Sequence, residues 1–268
     1  MMKKKLISSL LSVLMVLAVA VCTLAAAKSD INVCTSAADL GKIVMEGYNL
    51  GEKGSIQIVQ GKYTSNKGNT FDVYVVVVSG TENETQFRTA NSGLSLDIAA
   101  VNIKNSPYYY RIKTVIRQNV PKGSRVIFVG HSLGGMMTQQ LATDSTLKKE
   151  YIIKYDLCFA APYTQPNETH EGALRRLGDW SDVIPLETAN LLTDPVGTLT
   201  YSREYGGYGV DFWTAHMNSY MKDEVWGAYD VTGKKGGKAT LALDMSTRQF
   251  FKSDYVLILQ DFLAEINN

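Results

Sequence analysis

Residues 125–137 read RVIFVGHSLGGMM. Arg125 to Val129 is a short apolar, β-branched run of the kind found in a buried strand, and Leu133 to Met137 opens a helical segment. Between them Gly130-His131-Ser132-Leu133-Gly134 satisfies G-x-S-x-G, with Gly135 following. A strand, this pentapeptide and a helix, in that order, predict a nucleophile elbow. The turn is so tight that the serine takes a strained backbone conformation, and side chains two residues to either side would collide. The strain aims the Ser132 hydroxyl off the end of the sheet, at the mouth of the helix. There the backbone N–H of Leu133 is available to a developing oxyanion. The plain alternative is a glycine-rich strand-to-helix turn without chemistry. The bare pattern arises often by chance, so its neighbours and its partners must decide.

Working outward, residues 55–63 (SIQIVQGKY) alternate like a half-buried strand, and 72–78 (DVYVVVV) form a denser run, as in an inner strand covered on both faces. Residues 108–120 carry Tyr109, Ile112, Val115 and Ile116 at helical spacing and stop at Pro121-Lys122-Gly123. Downstream, 133–147 predict a helix, 152–161 a strand, 175–184 (RRLGDWSDVI) a further short strand, and 254–266 a closing helix. Strands alternating with helices predict an α/β domain with a largely parallel central sheet flanked by helices. With the elbow, that is an α/β-hydrolase fold. Residues 185–253, rich in Gly, Tyr and Thr, show no clear pattern.

A serine hydroxyl is a weak nucleophile and needs a base. The chain has three histidines, His131, His170 and His216. His131 lies in the elbow with its side chain turned away from that of Ser132. In this fold the order is Ser, acid, His. His216 follows every predicted strand, whereas His170 leaves only Asp144 and Asp156 as acids before it, one beside the elbow helix and one inside a strand. His216 is therefore the expected base. For the acid, Asp179, Asp182, Asp194, Asp211, Glu187 and Glu204 lie between. Asp182 directly precedes Val183-Ile184-Pro185, at the expected C-terminal edge of a strand, where catalytic groups gather in α/β sheets. The expected set is Ser132, Asp182 and His216, with Leu133 donating to the oxyanion.

The chain opens with Lys3-Lys4-Lys5, an apolar stretch from Leu6 to Leu24 and then Ala25-Ala26-Ala27. This predicts a secretory signal peptide over residues 1–27, a single domain over 28–268 and a secreted, extracellular protein. The alternative is an uncleaved anchor, since the run is long enough to span a bilayer. Cys22 follows the bulky Val21, which argues against a lipoprotein. Removing the leader takes away three lysines, leaving 27 − 3 = 24 basic against 26 acidic residues, a charge of −2. That balance is too even to suggest nucleic acid or an anionic membrane surface as a partner, and none is expected. Cys34 and Cys158 remain; two cysteines make no disulfide framework, and Cys158, in an apolar run, reads as a buried thiol. No Cys/His spacing suits a metal, so no metal and no cofactor are expected.

GHSLGG, FAAPYTQPN, GDWSDVIP and AHMNSY together resemble the class 3, fungal-type lipase family, across roughly residues 55–225. VVVVSGTEN at 75–83 is similar to that family's apolar strand running into R-G-T or R-G-S, although Ser79 replaces the Arg. Met136 stands where the family has a small residue, and Val183-Ile184 shifts the spacing from Asp182 to Pro185. The resemblance implies that Thr81 supplies the second oxyanion N–H and that a lid lies within residues 82–105. Leu94, Leu96, Ile98, Ala99, Ala100 and Val101 would form its apolar face, unless they are a helix packed permanently on the core. REYGGYGVDFW (203–213) is a candidate wall for an acyl site or a surface loop. Asn83 and Asn167 lie in glycosylation sequons. The expected function is hydrolysis of carboxylic esters of lipids through an acyl-enzyme, with transient contact to a lipid interface. A phospholipase and a short-chain esterase are the near alternatives, and a binding protein with a dead site the distant one. Acyl length, head group and oligomeric state are not encoded in these motifs.

Overall fold

The computed structural model describes residues 30–48, 54–80, 107–164, 171–186 and 201–252. The expected leader, the lid segment, both sequons, Thr81, His170, Glu187, Asp194 and the closing helix lie outside the described residues. The chain runs β1 (Ile31–Cys34), α1 (Ala37–Met45), a 3₁₀ turn (Glu46–Tyr48), β2 (Ile56–Thr64), β3 (Thr70–Val78), α2 (Pro107–Asn119) and β4 (Arg125–His131). There follow α3 (Leu133–Thr143), α4 (Ser145–Glu150), β5 (Ile152–Phe159), β6 (Ala173–Asp179), a 3₁₀ turn (Ile184–Leu186) and β7 (Tyr201–Glu204). Last come α5 (Phe212–Asn218), a 3₁₀ turn (Ser219–Met221), α6 (Asp223–Trp226) and β8 (Thr240–Phe251).

One eight-stranded sheet has the order β1-β8-β2-β3-β4-β5-β6-β7. From β3 to β7 every pairing is parallel, while β8 pairs antiparallel with both β1 and β2. This is the α/β-hydrolase architecture, a mostly parallel sheet with helices on its faces. The valine run explains the layering. Val75 and Val77 point into one core with α1, Tyr220 and Trp226, whereas Val76 and Val78 point into the other with α2, α3 and α4. A strand with alternate residues buried on opposite faces must be apolar throughout, which is why 75–78 show no polar alternation.

The predicted helix 133–147 is two helices. Asp144 breaks it, taking an extended conformation (φ −62°, ψ 119°) and accepting the N–H groups of Thr146 and Leu147 as the cap of α4. Its other oxygen receives the Tyr109 hydroxyl at 2.6 Å and Lys113 Nζ at 3.1 Å, so it also ties α2 to this corner. Residues 185–253 carry β7, α5, α6 and the longest strand, β8. Cys34 and Cys158 are free thiols, both buried. Burial pushes the Cys34 thiol pKa up to about 12 and raises that of Cys158 as well.

Candidate active site

Three strand ends meet at one edge of the sheet: β3 running into Gly80, β4 into Ser132 and β6 into Asp182. Ser132 has φ 55° and ψ −127°, a conformation that costs a non-glycine residue of order 1–3 kcal/mol. Its N–H donates to the Phe159 carbonyl at 2.9 Å and its carbonyl accepts from Met136 N–H at 3.1 Å. The turn is thus clamped by β5 on one side and by its own helix on the other.

The glycines are spatial requirements. A Cβ on Gly130 would lie 2.6 Å from Gly135 Cα, one on Gly134 2.1 Å from the Val78 carbonyl oxygen, and one on Gly135 2.6 Å from Ala161 Cβ. The bulkier Met136 is accommodated in the core shared with α2. Leu133 is the first residue of α3, and the Ser132 side chain makes no capping bond there. The helix therefore presents backbone N–H at the mouth of the elbow.

Asp182 lies in the turn after β6, three residues beyond the strand's last residue, Asp179. The strand predicted over 175–184 stops there because Trp180 and Val183 swing out to solvent. Asp182 itself is completely buried. Its Oδ2 accepts from His216 Nδ1 at 3.0 Å and from the Tyr220 hydroxyl at 2.7 Å, and its Oδ1 accepts from Ile184 N–H at 3.0 Å. Three donors satisfy the carboxylate's hydrogen-bonding capacity. His216 sits on α5, a short helix rather than a loop, capped by Asp211, whose carboxylate accepts the N–H and hydroxyl of Thr214. Trp213 stacks on the His216 ring at 5.9 Å.

The structure brings Asp182 and His216 together, and the ring of His131, the residue before Ser132, has its centroid 4.8 Å from that of His216. Among the described residues no hydrogen bond joins the Ser132 hydroxyl to the His216 ring, whose Nδ1 is engaged by Asp182. Such bonds commonly tighten only when substrate is bound. Among the other acids weighed from sequence, Asp179 shapes the turn, accepting from Ser181 N–H and the Ser219 hydroxyl. Glu204 pairs with Lys235 and Tyr229, and Asp156 is buried within β5. Ser79, where the Arg of the resembling family would stand, is buried and donates to the Val44 carbonyl at 2.7 Å, closing the end of α1.

Reasoning from sequence passed over two tyrosines and one histidine. Tyr220 binds both Asp182 and, through its oxygen, the Asp179 N–H at 3.0 Å; burial and then Asp182 raise its hydroxyl pKa well above the ordinary value, so it stays a donor. Its signal was the aromatic closely following His216 in AHMNSY. Tyr48 bridges Gly80 N–H and His131 Nδ1, each at 2.7 Å. Nothing in the local sequence around Tyr48 marks it, because its partners lie on β3 and β4.

The mostly parallel sheet with helices on its faces is that of a lipase-like α/β-hydrolase fold. The comparison with known families agrees: residues 102–181 match the model described as PGAP1-like alpha/beta domain. The match runs from just before α2 through the elbow to Ser181 and leaves Asp182 and His216 outside it. No curated protein and no solved structure matches the chain.

Proposed function

We propose that this protein is an exported serine hydrolase that cleaves carboxylic esters of lipids, as the ordered resemblance to the class 3 lipases implies. The observations that support the reading are the positive φ of Ser132 in the elbow and the buried Asp182–His216 pair. Asp182, hydrogen-bonded to His216 Nδ1, keeps that proton on Nδ1 and leaves Nε2 as the basic nitrogen. Ser132 Oγ attacks the ester carbonyl while Nε2 takes its proton. The tetrahedral oxyanion is met by the Leu133 N–H and, on this reading, that of Thr81. Collapse expels the alcohol, which receives the proton from Nε2. Water then repeats the sequence on the acyl-enzyme, with His216 again the base and Ser132 the leaving group. Asp182 stabilises the imidazolium each time without taking its proton.

An apolar substrate suits the surroundings. Trp180, Val183, Val210, Phe212 and Trp213 are exposed on the two segments that carry the acid and the base. This row gives an acyl chain or a lipid surface something to lie against. Export is supported by the leader over residues 1–27.

A fluorophosphonate probe tests the chemistry without a known substrate. The wild-type protein should be labelled at Ser132 and should hydrolyse p-nitrophenyl esters. Ser132→Ala should lose labelling and about 10⁴-fold or more in turnover, with the fold intact. Undiminished turnover by purified Ser132→Ala would sink the reading.

A further inference from the structure

We propose that His131 is a positioning residue of this site: a permanently neutral imidazole that ties the main chain of His216 and, through Tyr48, the main chain at Gly80 to the elbow. The inference rests on the esterase reading for its kinetic consequence, but not for its structural content.

The hydrogen bonds run in one direction. His131 Nε2 lies 2.8 Å from the His216 carbonyl oxygen, which can only accept, so Nε2 carries the ring proton. Nδ1 is then an acceptor and takes the Tyr48 O–H at 2.7 Å. The Tyr48 oxygen in turn accepts Gly80 N–H at 2.7 Å. A second ring proton on Nδ1, at a histidine with no exposed surface, would face the Tyr48 hydroxyl and force its hydrogen to turn away. Among the described residues, the rings packed against that of His131 are Tyr48 from the turn after α1, and His216 and Tyr220 from α5 and the turn that follows it. None is an anion in contact with the ring; Asp182 lies beyond His216 and is occupied by it. Burial, and then the His216 ring, hold the His131 pKa well below the usual histidine range.

The strut joins three things the chemistry needs at fixed separation. The Gly80 N–H bond to Tyr48 fixes the chain leaving β3 against the elbow. A Cβ at position 80 would lie 2.3 Å from Tyr48 Oη and 2.8 Å from Ser132 Cβ, so only a bare backbone can approach this closely. His216 is fixed twice, at its ring by Asp182 and at its carbonyl by His131. Neutrality matters as well, because His216 becomes a cation during attack and a charged His131 beside it would oppose that.

Two measurements on the intact protein separate this from a purely structural role. With histidine ring nitrogens labelled, NMR should show His131 as the neutral Nε2–H form throughout about pH 5 to 8. In the second, Tyr48→Phe should lower kcat on a soluble p-nitrophenyl ester by about tenfold to a hundredfold, with KM within about twofold. His131→Gln, which keeps a donor for the His216 carbonyl, should retain more kcat than His131→Leu. His131 titrating near the ordinary value of about 6.5 would overturn the proposal. So would folded Tyr48→Phe and His131→Leu proteins with undiminished kcat. If the wild type neither hydrolyses esters nor takes the probe, the esterase reading falls by itself, and the strut is judged on NMR alone. The downfield His216 Nδ1 proton must then move in Tyr48→Phe, and an unmoved resonance refutes it.

Discussion

Replacing Gly134 by alanine should damage both stability and chemistry, and the size follows from one contact. Gly134 is the second residue of α3, and its added methyl would lie 2.1 Å from the Val78 carbonyl oxygen and 2.6 Å from that of Ser79. Ordinary contact begins near 3.4 Å, so helix and strand must part by 3.4 − 2.1 = 1.3 Å. Gly134 is not among the positive-φ residues, so the loss is spatial; in a helix alanine would otherwise be favoured by about 1 kcal/mol. Overpacking of this kind costs about 2 kcal/mol net. For a chain of this size that lowers Tm by about 6 °C. The parting also moves Ser132 and Leu133 away from Gly80, and a misplacement of about 1 Å costs about a hundredfold in rate. The assay is thermal unfolding together with the second-order rate of fluorophosphonate labelling. Gly68→Ala is the control: a Cβ there meets nothing within 4 Å, though φ is 80°. It should lower Tm modestly and leave labelling unchanged. A Gly134→Ala protein with wild-type Tm and labelling rate would refute the packing of the elbow against β3.

His216→Ala should be as damaging to ester hydrolysis as Ser132→Ala, whereas His170→Ala should keep most activity; reversed phenotypes would move the site to residues 144–170. Thermal stability should fall as pH drops below about 4, because carboxylates held ionised by the fold must then be protonated. Asp144 contributes to that limb. Burial alone would raise its pKa, but bonds from Thr146, Tyr109, the Leu147 N–H and Lys113 outweigh it and hold the carboxyl well below the usual range. A depressed carboxyl stabilises the fold above its unfolded pKa and loses that contribution as pH falls. Asp144→Asn should therefore flatten the acid limb of Tm against pH and cost about 3 kcal/mol at neutral pH, because buried Lys113 loses its carboxylate. An unchanged acid limb would count against it.

What can be read from the chain is what neighbours in sequence decide. The apolar run 75–78, the elbow glycines and the helix of Tyr109, Ile112, Val115 and Ile116 each encode a local geometry, and the structure has a strand, a sharp turn and a helix there. The break at Asp144 is also local: Asp-Ser-Thr is a cap signal, overridden in the reading by the apolar periodicity on either side. β8 is different. Its first half alternates between partly and fully buried residues, but its second half is only partly covered, and a register shift at Ile58/Gln60 interrupts its pairing with β2. No simple period survives that. Chain order selects His216, the expected strand edge selects Asp182, and the structure sets the two 3.0 Å apart, yet neither has anything to say about Tyr48. Its role depends on three backbone segments converging from distant parts of the sequence.

The position of β8 has a consequence for how the chain is made. It lies between β1 and β2, although it is the last described strand to be synthesised. Until residues 240–244 have emerged, β1 has no strand to pair with among those described, and β2 is bonded along only one side. A growing chain therefore leaves β1 unpaired and one edge of β2 open, among the described strands, after the elbow region is already long enough to condense. Late closure favours a chain that must stay threadable, and it exposes any fragment ending before Thr240 to sticking edge to edge with its own kind.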